Sequence, residues 1–285
     1  MKTLVTGASG FIGRALLRQN LSGDIHVVSR DFSLFAAGIT VHSGDLGNFE
    51  FVEYLGAQKF DRVIHLAWEG LPNLSEENNL RNLNNSQRLL EVLSSSGVKD
   101  FHVAGTCLEY GEITGSADET MMGKNLSNFA STKVKLLEFL TGLGVAYKWY
   151  RIFYAYGPHQ HEKSLLSSAF SNATKGALFS LDNPSVLRDF VFVSDVANAI
   201  ALLIDKPDAN GVFNIGSGEG TRVEDLVNTL YTQMGLEVRD RDNEQSTSLT
   251  ADLRKIHETC GWIPDTPIEE GVKNFLDWKY LGGRD

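Results

Sequence analysis

The chain has 285 residues, 42% hydrophobic and 22% charged, the balance of an ordinary globular protein with one large domain or two small ones. A formal net charge of −10 argues against a nucleic-acid surface, which needs a basic stripe, but leaves room for local cations that hold a negatively charged small molecule. Two cysteines, Cys107 and Cys260, lie far apart without metal-ligand spacing. Two buried thiols in a reducing compartment are therefore expected, with no disulfide and no metal site. The apolar N-terminal stretch is too short for a signal peptide and no long apolar run follows, so the expectation is a cytoplasmic protein without membrane contact.

In chain order, "KTLVTG", "DIHVVSR", "ITVHSGD", "FDRVIHLA", "DFHVAGT" and "AYKWYRI" read as six buried strands, rich in Val and Ile and bounded by polar or glycine turns. Between them, "GRALLRQNL", "LRNLNNSQRLLEVLSSSG" and "STKVKLLEFLTGLG" carry apolar residues at helical spacing, and two of these end at glycine. Alternating strand and helix with short links implies a parallel sheet covered on both faces, and right-handed crossovers make it doubly wound. After "FYAYGP" the rhythm changes. "HQHEKSLLSSAFSNATKG" reads as one helix. "DFVFVSDVANAIALLI" reads as a strand and then a helix capped by Ser194 or Asp195. "GVFNIGSGEGTRVEDLVNTLYTQMG" repeats strand, glycine turn, helix. The fold class is α/β: a Rossmann-type doubly wound parallel sheet with a smaller α/β substrate-binding domain. Residues 1–157 with 187–214 are assigned to the first, and 158–186 with 215–285 to the second. A ligand cleft is expected between them.

"VTGASGFIG" places Gly7, Gly10 and Gly13 after the first strand and at the opening of the first helix, the context a dinucleotide fingerprint requires. Gly7 permits the tight turn, Gly10 lets the backbone approach a pyrophosphate, and Gly13 lets the helix pack close to the sheet. An acidic residue at the end of the second strand would select NAD through the ribose hydroxyls. Here Ser29 and Arg30 stand there instead, and an arginine fork suits a 2′-phosphate. Arg14 could add a second cation; Asp31 would repel a phosphate if it pointed inward. NADP(H) is the favoured cofactor, with NAD(H) as the alternative. The plainer reading of both arginines is a solvated surface charge.

Beyond these motifs the chain resembles the extended short-chain dehydrogenases/reductases, the NAD-dependent epimerase/dehydratase group acting on nucleotide sugars. "VTGASGFIG" is similar to that family's glycine motif and "GDL", Gly44 to Leu46, to the turn whose Asp meets adenine. "IHLAW" is similar to its "HLAA" strand, Asn82 stands in its "NxxGT" helix pattern, and "RIFYAYGP", "LRDFVFVSDVANAI" and "GVFNIGSGE" match "RxFNxYGP", "RDFVxVxDVAxAI" and "xxxNIGSGE". "LRKIHETCGWIPDTPIEEGVKNFLDW" looks like its closing segment. The resemblance implies cofactor contacts at Phe11 and Ile12 in the glycine loop, at Asp45 and Leu46, at Leu66 and Ala67, and at Lys133. It implies a nucleotide-diphosphate sugar substrate held by Thr106, Tyr154 and Arg188, with Lys163 and Arg222 as weaker cations, and a homodimer formed through two helices per subunit. Tyr154 replaces the Asn usual in "RxFNxYGP".

The resemblance also implies hydride transfer with a Ser/Thr, Tyr and Lys set: the tyrosine as general acid/base, the lysine one helical turn later favouring the phenolate, and the hydroxyl polarising the substrate oxygen. Thr106 and Lys133 fit, but "SNFASTK" has Phe129 at the tyrosine position, which keeps the ring and has no proton. The favoured explanation is a substitution that disables the enzyme while keeping its shape; the other is an enzyme with a different acid. Tyr110 and Tyr156 match structural positions and are not obvious replacements. Cys107 and Leu108 stand where dehydratases place Asp and Glu, so dehydration is not expected. Cys107 is one place too early for an epimerase-reductase acid and reads as core packing. His159 and His161 read as solvated loop histidines. The expected activity is NADPH-dependent reduction of a nucleotide-linked 4-keto-6-deoxysugar. A nucleotide-sugar 4-epimerase and a non-catalytic dinucleotide-binding protein are the alternatives.

Overall fold

A computed structural model describes residues 1–177, 179–238 and 248–283. The first half runs β1 (Lys2–Thr6), α1 (Phe11–Leu17), β2 (Asp24–Val28), β3 (Thr40–His42), α2 (Phe49–Ala57), β4 (Arg62–His65), α3 (Glu76–Ser95), β5 (Asp100–Ala104), β6 (Gly115–Ala117), α4 (Asn128–Gly142) and β7 (Ala146–Ile152). The second half continues with β8 (Tyr154–Tyr156), α5 (Leu165–Ala173), β9 (Leu187–Arg188), β10 (Phe190–Phe192), α6 (Val193–Ile204) and β11 (Gly211–Ile215). It ends with β12 (Thr221–Arg222), α7 (Val223–Gln233), β13 (Leu249–Ala251), α8 (Arg254–Cys260) and α9 (Ile268–Tyr280).

All six predicted strands enter one parallel sheet of order β11-β7-β5-β4-β1-β2-β3, with β11 as the seventh strand. The strand order reverses at β1, which is where an open parallel sheet leaves a crevice beyond its carboxyl ends. Successive residues of β1 serve opposite faces, as the two-residue period of a strand requires. Val5 packs with Leu16, Val27, Ile200 and Phe213 beneath α1 and α6. Leu4 packs with Val52, Leu55, Leu89 and Leu136 beneath α2, α3 and α4. Both residues are fully buried, which is why this strand reads as an unbroken apolar run.

The second half adds a smaller cluster in which α5, α7 and α9 close over Tyr156, Phe190 and Phe192. There β10 pairs with β8, β12 with β9, and β13 with β6. The expected long helix from His159 is shorter than its apolar spacing suggested. His159 has φ of +65° and Ser164 N–H donates to His161 C=O at 2.8 Å, so a turn precedes α5. Neither Ser194 nor Asp195 caps α6. Phe192 holds the cap position, and the Asp195 carboxylate accepts from Thr266 N–H and Oγ1, each at 3.0 Å, tying the helix to a distant loop. Helix α2, absent from the predicted helices, is capped by Asn48, whose side chain accepts from Phe51 N–H at 3.1 Å. Both cysteines are free; Cys107 is buried but Cys260, expected buried, is partly exposed. No described helix is long and apolar enough to cross a membrane. The second-domain range 215–285 includes 239–247 and 284–285, which lie outside the described residues.

Two buried histidines brace the sheet. His65 Nδ1 shares a hydrogen bond with Thr6 Oγ1 at 2.7 Å and its Nε2 another with Ser86 Oγ at 2.9 Å. His102 lies against Tyr150 and beside Asp100, which also binds Arg62 at 2.6 Å and Lys148 at 3.1 Å. Burial would raise the Asp100 carboxyl, but the hydrogen bonds from His102 and Arg62 and the Lys148 charge hold it well below the usual range. Burial pushes the His65 imidazole down to about 3 and the His102 imidazole down to about 4. An unfolded histidine titrates near 6.5, so below that pH the unfolded chain binds more protons than the folded one. Stability is therefore expected to fall as pH drops from about 6.5 toward 4, by up to about 1.4 kcal/mol per pH unit for each histidine. Urea unfolding across this range measures the slope, and His102→Gln is expected to flatten it by about one proton.

Candidate active site

A cavity of about 760 Å³ opens at the carboxyl end of the parallel strands, where the strand order reverses. Its floor is the glycine turn. Gly7 has φ of +73°, and a Cβ there would lie 2.6 Å from Ala67 N and 2.7 Å from Leu66 C. A Cβ on Gly13 would lie 2.2 Å from Gly7 O, so helix α1 packs against the turn only because Gly13 has no side chain. Phe11, Ile12, Leu66 and Ala67 line the cavity with the three glycines.

At the end of β2, Ser29 and Arg30 also line the cavity. Ser29 Oγ donates to Asp31 C=O at 3.0 Å, which shapes the turn. Asp31 is turned outward: its carboxylate accepts from Ser33 Oγ at 2.7 Å and Ser33 N–H at 2.9 Å, and these bonds hold it below the usual carboxylate range. Arg30 is exposed and makes no hydrogen bond or ion pair among the described residues. Arg14 is not at the cavity wall; its Nε donates to Ser9 C=O at 2.9 Å. Asp45 and Leu46 line the wall beyond β3, and Asp45 Oδ1 accepts from Gly47 N–H at 2.7 Å.

Asn82 is buried. Its Oδ1 accepts from Glu69 N–H at 2.7 Å, and its Nδ2 donates to Glu69 C=O at 2.9 Å and Asn78 C=O at 2.8 Å. The clamp fixes the backbone directly after Trp68. The Trp68 indole lies over Lys133, with Nζ 3.8 Å from the ring centroid, and meets the Phe129 ring edge-on at 5.7 Å. Lys133 Nζ donates to Ala104 C=O at 2.8 Å and sits 6.0 Å from the Phe129 centroid. Phe129 and Lys133 thus share one face of α4, as the spacing implied. Trp68 and Phe129 face the cavity, while Lys133 is buried behind them at 5% exposure. Burial pushes its amine down to about 7.

Thr106 begins the tight turn Cys107–Tyr110. Its Oγ1 accepts from Leu108 N–H at 3.3 Å, which leaves its own proton free to donate. The Glu109 carboxylate accepts from Thr106 N–H at 2.8 Å, Trp149 Nε1 at 3.0 Å and Arg151 Nε at 2.9 Å. Burial raises the Glu109 carboxyl against the opposing charge of Arg151. Cys107 points into a separate apolar cluster, and burial pushes its thiol up to about 12, as befits core packing.

Neither Thr106, Tyr154 nor Arg188 lines the large cavity. Arg188 stacks 5.1 Å above the Tyr154 ring and lines a second hollow of about 270 Å³ with Phe179, Asp182 and Asn183. Burial pushes the Tyr154 hydroxyl up to about 12. Arg222 is engaged by Glu224 at 3.4 Å, and neither it nor Lys163 lines either hollow. His161 is exposed, as expected of a solvated loop histidine, while His159 is half-buried; both border the cavity together with Gln160. Sequence reasoning also missed Trp68, Glu69, Asn85 and Ser86 as cavity residues. The signal for two of them was present: Trp68 departs from "HLAA" and Asn85 from the glycine of "NxxGT".

Known proteins are similar to the chain in sequence and in fold. The chain is 26% identical to an uncharacterised UDP-glucose epimerase of Bacillus subtilis (strain 168), over 99% of this chain and 100% of that protein. It is 23% identical to dTDP-6-deoxy-L-talose 4-dehydrogenase (NAD(+)) of Aggregatibacter actinomycetemcomitans, over 85% of this chain and 94% of that one. Among solved structures it resembles UDP-glucose 4-epimerase of Thermotoga maritima with UDP-glucose, at a TM-score of 0.86 and 25% identity over the whole of both chains. The model of the NAD dependent epimerase/dehydratase family matches residues 3–216, most of the sheet and the whole glycine turn, and the chain belongs to that family.

Proposed function

We propose that the chain binds NADP(H) in preference to NAD(H) along the large cavity, and that it is a nucleotide-linked 4-keto-6-deoxysugar reductase whose general acid has been exchanged for Phe129. The observation that carries this reading is the pairing of Phe129 and Lys133 on one face of α4, 6.0 Å apart, at the wall of the glycine-floored cavity. The residues suit the dinucleotide: the Gly7 turn admits no side chain, Asp31 is turned away, and Arg30 has a guanidinium free for a 2′-phosphate.

When bound, NADP(H) supplies the hydride for the ketone. Thr106 polarises the ketone oxygen with the proton that its capping bond does not use. A tyrosine at position 129 would then protonate the oxygen, and the Lys133 charge would stabilise the phenolate left behind. Phe129 cannot give that proton. Arg188, beside the second hollow, is the cation for the substrate diphosphate.

Nucleotide-sugar 4-epimerisation is the second reading, favoured by the likeness to the Thermotoga 4-epimerase. It uses the same residues but consumes no net cofactor. Phe129→Tyr separates the two readings. With keto-sugar nucleotides as substrates, it is expected to raise NADPH oxidation by roughly 10²–10⁴. Inversion without net oxidation would favour the epimerase, and neither activity in a variant that still binds cofactor would leave a non-catalytic binding protein.

Arg30→Ala is expected to weaken NADPH by about 10- to 100-fold, the loss of one charge-assisted contact, and to leave NADH almost unchanged in titration calorimetry. Trp68→Ala is expected to return the Lys133 amine toward the ordinary lysine range, because its depression comes from burial. The pH dependence of reductive methylation at Lys133 reads this directly.

A further inference from the structure

We infer that Asn85 is a base-reading residue: with Asp45 it recognises the adenine amino group of the dinucleotide and sets the chain's preference for adenine over other purines. The inference rests on the dinucleotide reading above and adds to it a specificity residue for the base.

Asn85 lies on α3, one turn beyond Asn82, whose amide is fully engaged by the Glu69 backbone. Asn85 differs: its side chain lines the cavity and makes no hydrogen bond among the described residues. Asn85 is half-buried, and its carboxamide stands open to hydrogen bonds from a molecule in the cavity. Its position narrows the choice of partner. A Cβ built on Gly47 would lie 3.1 Å from Asp45 Oδ1, and 3.4 and 3.9 Å from Asn85 Nδ2 and Oδ1. The two side chains therefore converge on one small volume beside Gly47, with Leu46 as the apolar neighbour at the cavity wall.

The chemistry of this set is two acceptors and one donor. Asp45 Oδ1 is shared with Gly47 N–H, and its second carboxylate oxygen has no donor among the described residues. An exocyclic amine has two hydrogens, one for Asp45 and one for Asn85 Oδ1, while Asn85 Nδ2 donates to an adjacent ring nitrogen. That is the pairing by which an asparagine reads adenine. A purine with a carbonyl oxygen at position 6 would turn a lone pair toward the Asp45 carboxylate, and one hydrogen bond would become a repulsion. Arg30, on the neighbouring wall, reaches for the ribose phosphate and has no part in reading the base.

The test is titration calorimetry of the full chain with NADPH and with its hypoxanthine analogue, which differs by an oxygen in place of the 6-amino group. The native chain is expected to bind NADPH at least about tenfold tighter than the analogue. Asn85→Leu is expected to weaken NADPH by about tenfold and to change the analogue by less than about threefold, with Asn85→Ala as a second variant should the first fail to fold. Equal affinity of the native chain for the two forms overturns the assignment and leaves the dinucleotide reading intact. So does an Asn85 variant that keeps the native affinities. No binding of either form to the native chain overturns both.

Discussion

The close passage of Leu66 and Ala67 over Gly7 is the constraint on which the site depends. Two adjacent parallel strands end there, and the backbone leaving β4 crosses the turn leaving β1 with no room for a Cβ between them. That crossing fixes where the chain goes next. Trp68 follows at once, and the Asn82 clamp on Glu69 sets the direction of its indole. One steric contact at a glycine thereby places both the cavity floor and the aromatic wall that covers Lys133. Replacing Gly7 would not simply perturb a loop. It would push apart the ends of two central strands, and the wall would move with them.

A second constraint, independent of the first, holds the other half of the site. Glu109 is buried and satisfied by three donors, from Thr106, Trp149 and Arg151. Arg151 in turn lies 4.5 Å from the Tyr110 ring, and the Tyr110 hydroxyl donates to Asn214 at 2.7 Å. A buried ion pair of this kind adds little net stability but penalises heavily any geometry that breaks it. Its effect is positional: the backbone N–H of Thr106 is held, so the threonine hydroxyl leaves β5 in one direction. Lys133 is tied to the same strand end through Ala104 C=O at 2.8 Å. Strand β5 is thus the common reference for two side chains that come from distant parts of the sequence.

The sheet was legible because its strands are buried on both faces, which writes them as short apolar runs between turns. Helix boundaries were less legible. The α5 start was misread because the polar residues 159–164 carry no glycine or proline to mark a break before Leu165, and the left-handed His159 gives no sequence signal of its own. Asp195 was misread as a cap because a carboxylate near a helix start has the same sequence appearance whether it binds its own backbone or a loop some seventy residues away, at Thr266. The cavity residues at Gly7, Arg30 and Asp45 were readable from local motifs. Trp68 and Asn85 showed only as departures from such motifs, and His159 gave no signal, since the turn that brings it to the cavity is supplied by the fold.

Lys133 bears on how Phe129 should be understood. A buried amine is a liability: burial has already pulled it to about 7, and one carbonyl and one indole face are weak compensation for lost water. A leucine or methionine would fill the space behind Trp68 at lower cost if packing were its only purpose. The amine is explicable if the position is built for a negative oxygen nearby. Phenylalanine at 129 removes that oxygen and nothing else, since the ring keeps its edge-on contact with Trp68 at 5.7 Å and α4 keeps its Ser127 cap. Under the proposed reductase reading, a hydroxyl on the 129 ring would meet that amine with every surrounding contact unchanged, which is how the reading accounts for the lysine.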